Sequence, residues 1–75
     1  MKKTTEAILL EMKEQFKLKD VNLDVNLSEL GLDSLDVAEY LLDLEDRYNV
    51  TFESAEMQQL TTLKSLADLI DSKVN

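Results

Sequence analysis

Three stretches of this chain repeat their apolar residues at helical spacing, and the one strand-like run, Val50-Thr51-Phe52, is too short and has no visible partner to pair with. The pattern therefore points to helices packed on helices. The first stretch covers about Thr4 to Lys17, with Ile8, Leu9, Met12 and Phe16 on one side and Lys13, Glu14 and Lys17 on the other. Leu10 falls off that stripe, as an exposed leucine or as part of a partner surface. The second begins at Asp33 or Ser34 and runs to about Tyr48. Leu35, Ala38, Leu41, Leu42 and Glu45 trace one of its faces, and Val37, Leu41, Leu44 and Tyr48 trace a neighbouring one. So wide an apolar face predicts packing against more than one element. The third follows Thr61-Thr62, a break and cap, and turns Leu63, Leu66, Ala67, Leu69, Ile70 and Val74 inward. A short helix capped by Ser54 or Glu53 fits between, through Met57 to Leu60.

The expected fold is all-α: a small antiparallel four-helix bundle of three longer helices and one short one, in a single domain spanning 1–75. A chain of 75 residues has room for one modest core, since it buries only about 60% of the surface it exposes when unfolded. From Lys19 to Leu32 the periodicity fails, and Asp20, Asn22, Asp24, Asn26, Ser28 and the only glycine, Gly31, mark a loop. A loop this long needs anchors. Leu18, Val21, Leu23, Val25, Leu27, Leu30 and Leu32 are the residues that can supply them.

Composition removes whole classes of chemistry. There is no cysteine and no histidine, so Ser-His-Asp and Cys-His mechanisms and thiolate metal sites are excluded, and no metal site is expected. Asp20, Asn22, Asp24 and Asn26 alternate oxygen donors as a calcium loop does, but Val25 stands where that loop needs glycine and Gly31 where it needs glutamate. Sixteen acidic residues against eight basic ones give a net charge of -8, which repels nucleic acid and anionic membrane surfaces and favours partners with basic patches. No apolar run approaches the roughly 18 residues of a membrane span. Met1-Lys2-Lys3-Thr4-Thr5-Glu6 leads into a helical stripe rather than a signal-peptide core, so the expected compartment is the cytoplasm.

The segment Leu27-Ser28-Glu29-Leu30-Gly31-Leu32-Asp33-Ser34-Leu35-Asp36 interrupts this plain pattern: a glycine ends a loop, apolar residues fasten it, and a serine sits where a helix begins. Serine at a helix start is commonly just a cap or a first-turn residue, and Asp33 with Asp36 three positions on has the spacing of a capping box. The same place also suits a phosphate ester, because unpaired backbone N–H groups and the positive helix end stabilise one.

Leu30-Gly31-Leu32-Asp33-Ser34-Leu35 closely resembles the phosphopantetheine attachment motif of acyl carrier proteins. The similarity continues through Asp36, Glu39, Leu44, Glu45 and Tyr48 and extends to Thr62-Leu63, so it covers essentially the whole chain. The resemblance implies a non-catalytic carrier. Ser34 would bear a covalent 4'-phosphopantetheine donated by coenzyme A, and Asp33 would meet the phosphopantetheinyl transferase and the magnesium of its site. The arm ends in a thiol, which is how a chain without cysteine could hold thioesters.

The resemblance also implies that the second helix is the docking surface for acyl-transferring, condensing and chain-modifying enzymes with basic patches, through Asp36, Glu39, Asp43, Glu45 and Asp46. From Asp24 through Asp46 the chain carries eight acidic residues and no basic one, a local asymmetry that favours steering of partners toward Ser34. Val37, Leu41, Leu44, Phe52, Met57, Leu60 and Leu66 are the positions that could line an acyl-chain pocket, or else ordinary core. No nucleic-acid partner and no stable membrane association are expected, and the protein is expected to be monomeric.

The implied pathway is type II fatty acid synthesis, with a polyketide or other specialised acyl-transfer pathway as the alternative. Phe52-Glu53-Ser54 replaces a connector that is often isoleucine-proline-aspartate, Arg47 stands at a commonly acidic place, and Tyr40 and Asp43 replace aliphatic or small residues. Leu27-Ser28-Glu29-Leu30-Gly31 is one residue shorter than the usual bacterial pattern and is similar to carrier domains of polyketide assembly lines. A reading from another class is an unmodified acidic interaction module that docks on a basic protein. An enzyme would need more than Asp33 and Asp36, since catalysis requires a cleft and a second functional group.

Overall fold

The computed structural model describes residues 2–19 and 22–74. Asp20 and Val21, both assigned above to the loop, lie outside the described residues, as do Met1 and Asn75. Four α-helices follow one another: α1 (Lys3–Gln15), α2 (Ser34–Tyr48), α3 (Ser54–Gln58) and α4 (Leu63–Lys73). The expected all-α bundle of three longer helices and one short one is what the chain forms, and Val50-Thr51-Phe52 is an irregular connector.

One core holds the bundle together. Ile8, Leu9 and Met12 from α1, Val37, Tyr40, Leu41 and Leu44 from α2, and Leu63, Leu66, Ala67 and Ile70 from α4 are all buried, with Leu27, Leu32, Phe52 and Val74 packed among them. The two-faced reading of α2 needs correction. Leu35 and Leu42 are 63% and 56% exposed, and Tyr48 is also at the surface. The buried face is the single stripe Val37, Tyr40, Leu41 and Leu44, whose i, i+3, i+4, i+7 spacing is one side of a helix.

Tyr40 makes that stripe work because its ring is apolar and its tip is polar. The ring meets Phe16 edge-on, with centroids 5.9 Å apart. Its hydroxyl donates to the Glu11 carboxylate at 2.8 Å, and the same carboxylate receives two bonds from the Arg47 guanidinium at 2.7 and 2.9 Å. Arg47 also pairs with Asp43 at 3.2 Å. This cluster clamps α1 to α2 at the edge of the core. At the other side, Lys2 and Thr5 bond to Asp71, and the Lys2 ammonium reaches the Val74 carbonyl at 2.8 Å, tying the start of α1 to the end of α4.

The long connection is fastened by backbone. Leu27 N–H donates to the Thr61 carbonyl at 2.9 Å, Leu63 N–H to Val25 at 3.0 Å and Lys64 N–H to Leu23 at 2.9 Å. The last two donors belong to the first turn of α4, where no helical carbonyl is available. Thr62 completes that cap by accepting from Ser65 N–H at 3.1 Å. Among the proposed loop anchors, Leu27 and Leu32 are buried, while Leu18, Leu23, Val25 and Leu30 are half-buried. Within this aperiodic connection Leu27–Leu30 forms a 3-10 helix that leads directly to Ser34.

Arg47 and Tyr40 hold the Glu11 carboxyl below its ordinary value of 4.5. A carboxylate with a depressed folded-state pKa contributes stability above its unfolded pKa and loses it as pH falls through the folded one. Glu11→Gln is expected to cost about 1 kcal/mol at pH 7, the pair being largely exposed, and so to lower the melting midpoint by roughly 4–8 °C. Thermal melts from pH 7 to pH 3 should show wild type and variant converging below the ordinary carboxylate range.

Candidate functional site

The approach to Ser34 is set by Gly31. This residue ends the 3-10 helix at φ 81°, a left-handed conformation that costs other L-residues energy, and its N–H donates to the Ser28 carbonyl at 3.1 Å. Leu32 N–H then closes back onto Leu27 at 3.1 Å and buries the Leu32 side chain. The chain reverses over two residues and enters α2.

Asp33 is the N-cap of α2 in extended conformation, and a reciprocal pair of bonds fixes it: Asp36 N–H donates to Asp33 Oδ1 at 2.9 Å and Asp33 N–H to Asp36 Oδ2 at 3.3 Å. Val37 N–H reaches the Asp33 carbonyl at 3.2 Å. Ser34 is therefore not the cap. It is the first residue of α2, exposed, with its hydroxyl outside the capping network. The Ser34 and Leu35 N–H groups have no preceding helical carbonyl to bond. In this α2 differs from α4, whose first donors are taken up by the loop.

Ser34 lies on the lip of a groove of about 810 Å³. The connection supplies one wall through Asn26, Leu27, Ser28 and Leu32. The first turns of α2 supply another through Leu35, Val37 and Ala38, and Ser54, Met57, Gln58, Leu60 and Thr61 close the far side. Of the seven proposed pocket residues, Val37, Met57 and Leu60 line this groove. Leu41, Leu44, Phe52 and Leu66 do not: they are buried in the core behind it. Their spacing alone could not separate the two, because groove and core draw on the same apolar faces. Asn26, Ser28, Gln58 and Thr61 line the groove as well, and no apolar periodicity marks such polar residues as part of it.

The acidic residues of α2 are not equivalent. Glu39 and Asp46 are exposed and make no ion pair, whereas Asp43 is held by Arg47 and Glu45 accepts the Phe52 N–H at 2.7 Å. Arg47 is turned toward Glu11 on α1. Among the described residues, no cluster of acidic residues has a metal-binding arrangement, and no helix is long and apolar enough to cross a membrane.

The phosphopantetheine attachment site family matches residues 6–70. An acyl carrier protein of the bacterium Exiguobacterium sibiricum is 32% identical over 95% of this chain and 99% of its own length. The chain belongs to the acyl carrier protein family. The chloroplastic acyl carrier protein 1 of Hordeum vulgare is 33% identical over 97% of this chain, but the chain spans about half the length of such plant relatives. The crystal structure of the Thermotoga maritima acyl carrier protein superposes with a TM-score of 0.77 at 26% identity, covering 95% of this chain and 86% of that one. Members of the family carry their cargo on a cofactor and do not catalyse its chemistry.

Because the Asp33 carboxylate caps α2, Asp33→Ala is expected to destabilise the fold by about 0.5–2 kcal/mol. Urea unfolding measures the loss. Faster hydrogen exchange at Asp36 would locate it at the start of α2.

Proposed function

We propose that this chain is a single carrier domain that presents acyl groups on a 4'-phosphopantetheine arm attached to Ser34. The observation that carries the reading is the position of Ser34: first residue of a capped fifteen-residue helix, exposed, at the mouth of a groove, within the matched attachment-site region. The residues fit the group. Free first-turn N–H groups and the positive helix end favour a phosphodiester there, and the apolar groove beside it suits a hydrocarbon tail. When bound, the arm supplies a terminal thiol on which an acyl group is held as a thioester.

The chain's own contribution is positional. The Gly31 turn and the Asp33–Asp36 box position Ser34 at the start of α2, where a phosphopantetheinyl transferase would take the hydroxyl proton while the Ser34 oxygen attacked the pantetheine-side phosphorus of coenzyme A, forming the phosphodiester and breaking the pyrophosphate bond so that adenosine 3',5'-bisphosphate leaves. Asp33, the residue before Ser34, would meet the transferase and the magnesium of its site. Glu39 and Asp46 form the free acidic surface on which basic enzymes dock, and Asp36, Asp43 and Glu45 contribute less because Asp33 N–H, Arg47 and Phe52 N–H already engage them. The cargo belongs to type II fatty acid synthesis, a reading supported by a series of relatives all named acyl carrier protein. The bacterial relatives support a cytoplasmic setting.

Incubation with coenzyme A, magnesium and a broad-specificity transferase should add the mass of one arm, and Ser34→Ala should abolish the gain. Modification of the alanine variant would overturn the site. Reversal of Asp36 and Glu39 to lysine should slow association with a transferase at least about tenfold at low salt, with the difference shrinking as salt screens it. A salt-independent rate difference would argue against electrostatic docking.

A further inference from the structure

Arg47 is the only cation on α2, and it directly follows Asp46, one of the two free carboxylates of that helix. Glu39 and Asp46 stand two helical turns apart on the same side. An arginine free to rotate in the last turn would bring its charge beside Asp46 and cancel it, because its long side chain has many rotamers to visit. In this fold Arg47 is not free. Its Nη1 and Nη2 donate to the two carboxylate oxygens of Glu11 on α1 at 2.9 and 2.7 Å, a bidentate fork, and its Nε meets Asp43 at 3.2 Å.

Glu11 is in turn held from the core side. Tyr40 is buried, and its hydroxyl donates to the Glu11 carboxylate at 2.8 Å. The acceptor is thus oriented by a group that the bundle fixes, and the guanidinium comes to it. Glu11 and Arg47 remain 41% and 38% exposed, so the pair lies where an approaching protein feels its charge. An exposed pair adds little to stability, and where it places its charge is the larger effect.

We propose that Glu11 is a positioning residue for partner recognition: from α1 it withdraws Arg47 from the docking side of α2 and keeps the last turn negative toward a basic enzyme, the phosphopantetheinyl transferase included. This rests on the docking reading above and deepens it by assigning a role to a residue on a different helix. With Glu11 in place, the end of α2 offers the charge of Asp46. Without it, Arg47 is left to Asp43 alone, and the end of the helix offers a cation beside that carboxylate.

Two measurements test this, and they separate it from the docking reading. The control is Glu14, one turn further along α1, exposed and in no ion pair among the described residues, so that E14Q removes the same charge from the same helix. In the free protein, the NMR order parameter of the Arg47 Nε–H bond should fall below about 0.6 in E11Q and stay above it in wild type and E14Q. In stopped-flow association with a broad-specificity phosphopantetheinyl transferase at low salt, E11Q should be at least about threefold slower than E14Q. The double variant E11Q/R47Q should regain the wild-type rate, and the gap between E11Q and E14Q should close at high salt. An unchanged order parameter in E11Q, equal rates for E11Q and E14Q, or failure of R47Q to restore E11Q would each overturn the proposal. An E39K variant that associates as fast as wild type would overturn the docking reading and the recognition role with it, and the order parameter would still decide whether Glu11 positions Arg47.

Discussion

Three backbone hydrogen bonds, from Leu27, Leu63 and Lys64, join the long connection to the junction of α3 and α4, and the end of the molecule that carries Ser34 depends on them. Each contributes only about 1 kcal/mol net. Their effect is larger than their sum because they remove the freedom of a segment that has no regular structure of its own. With that segment fixed, Leu27 and Leu32 enter the core, Gly31 takes its left-handed turn, and α2 begins at Asp33 rather than elsewhere. The same bonds occupy the first donors of α4. The first turn of α2, by contrast, keeps its donors open beside Ser34.

Electrostatics is arranged on this frame by pairing some charges and leaving others free. Arg47, the one cation on α2, is drawn to α1 by Glu11 and held by Asp43, with its guanidinium 5.6 Å from the Tyr48 ring. Tyr40 joins the same cluster from the core side, and burial together with Glu11 keeps its phenol protonated above its usual range. The outcome is a helix whose positive charge is engaged and whose negative charge at Glu39 and Asp46 stays exposed. A surface of this kind attracts basic partners from a distance but forms no tight interface alone, since exposed ion pairs are individually weak.

The groove expresses the limits of a small core. A chain of 75 residues that buries Leu41, Leu44, Leu66 and Ile70 completely has no further apolar volume to enclose a guest. The groove lies at the boundary, between the stitched connection and a short helix that Met57 packs against the core and Glu56 ties to Lys73.

The sequence by itself determined the helices, their approximate ends, the all-α class, and the cap formed by Asp33 and Asp36. It also displayed the motif from Leu30 to Leu35 by which the family is recognised. These are local properties, fixed by spacing, by turn chemistry and by residue order. What lies between distant segments was decided only in three dimensions. Val37, Tyr40, Leu41 and Leu44 face inward while Leu35 and Leu42 do not, because α1 and α4 cover one side of α2 and nothing among the described residues covers the other. The separation of Leu41, Leu44, Phe52 and Leu66 from the groove, the neutralisation of Arg47 by Glu11, and the hold of Lys73 on α3 have the same origin. Each joins residues far apart in the chain, and no periodicity reports which of two apolar faces, or which of several charges, tertiary packing will bring together.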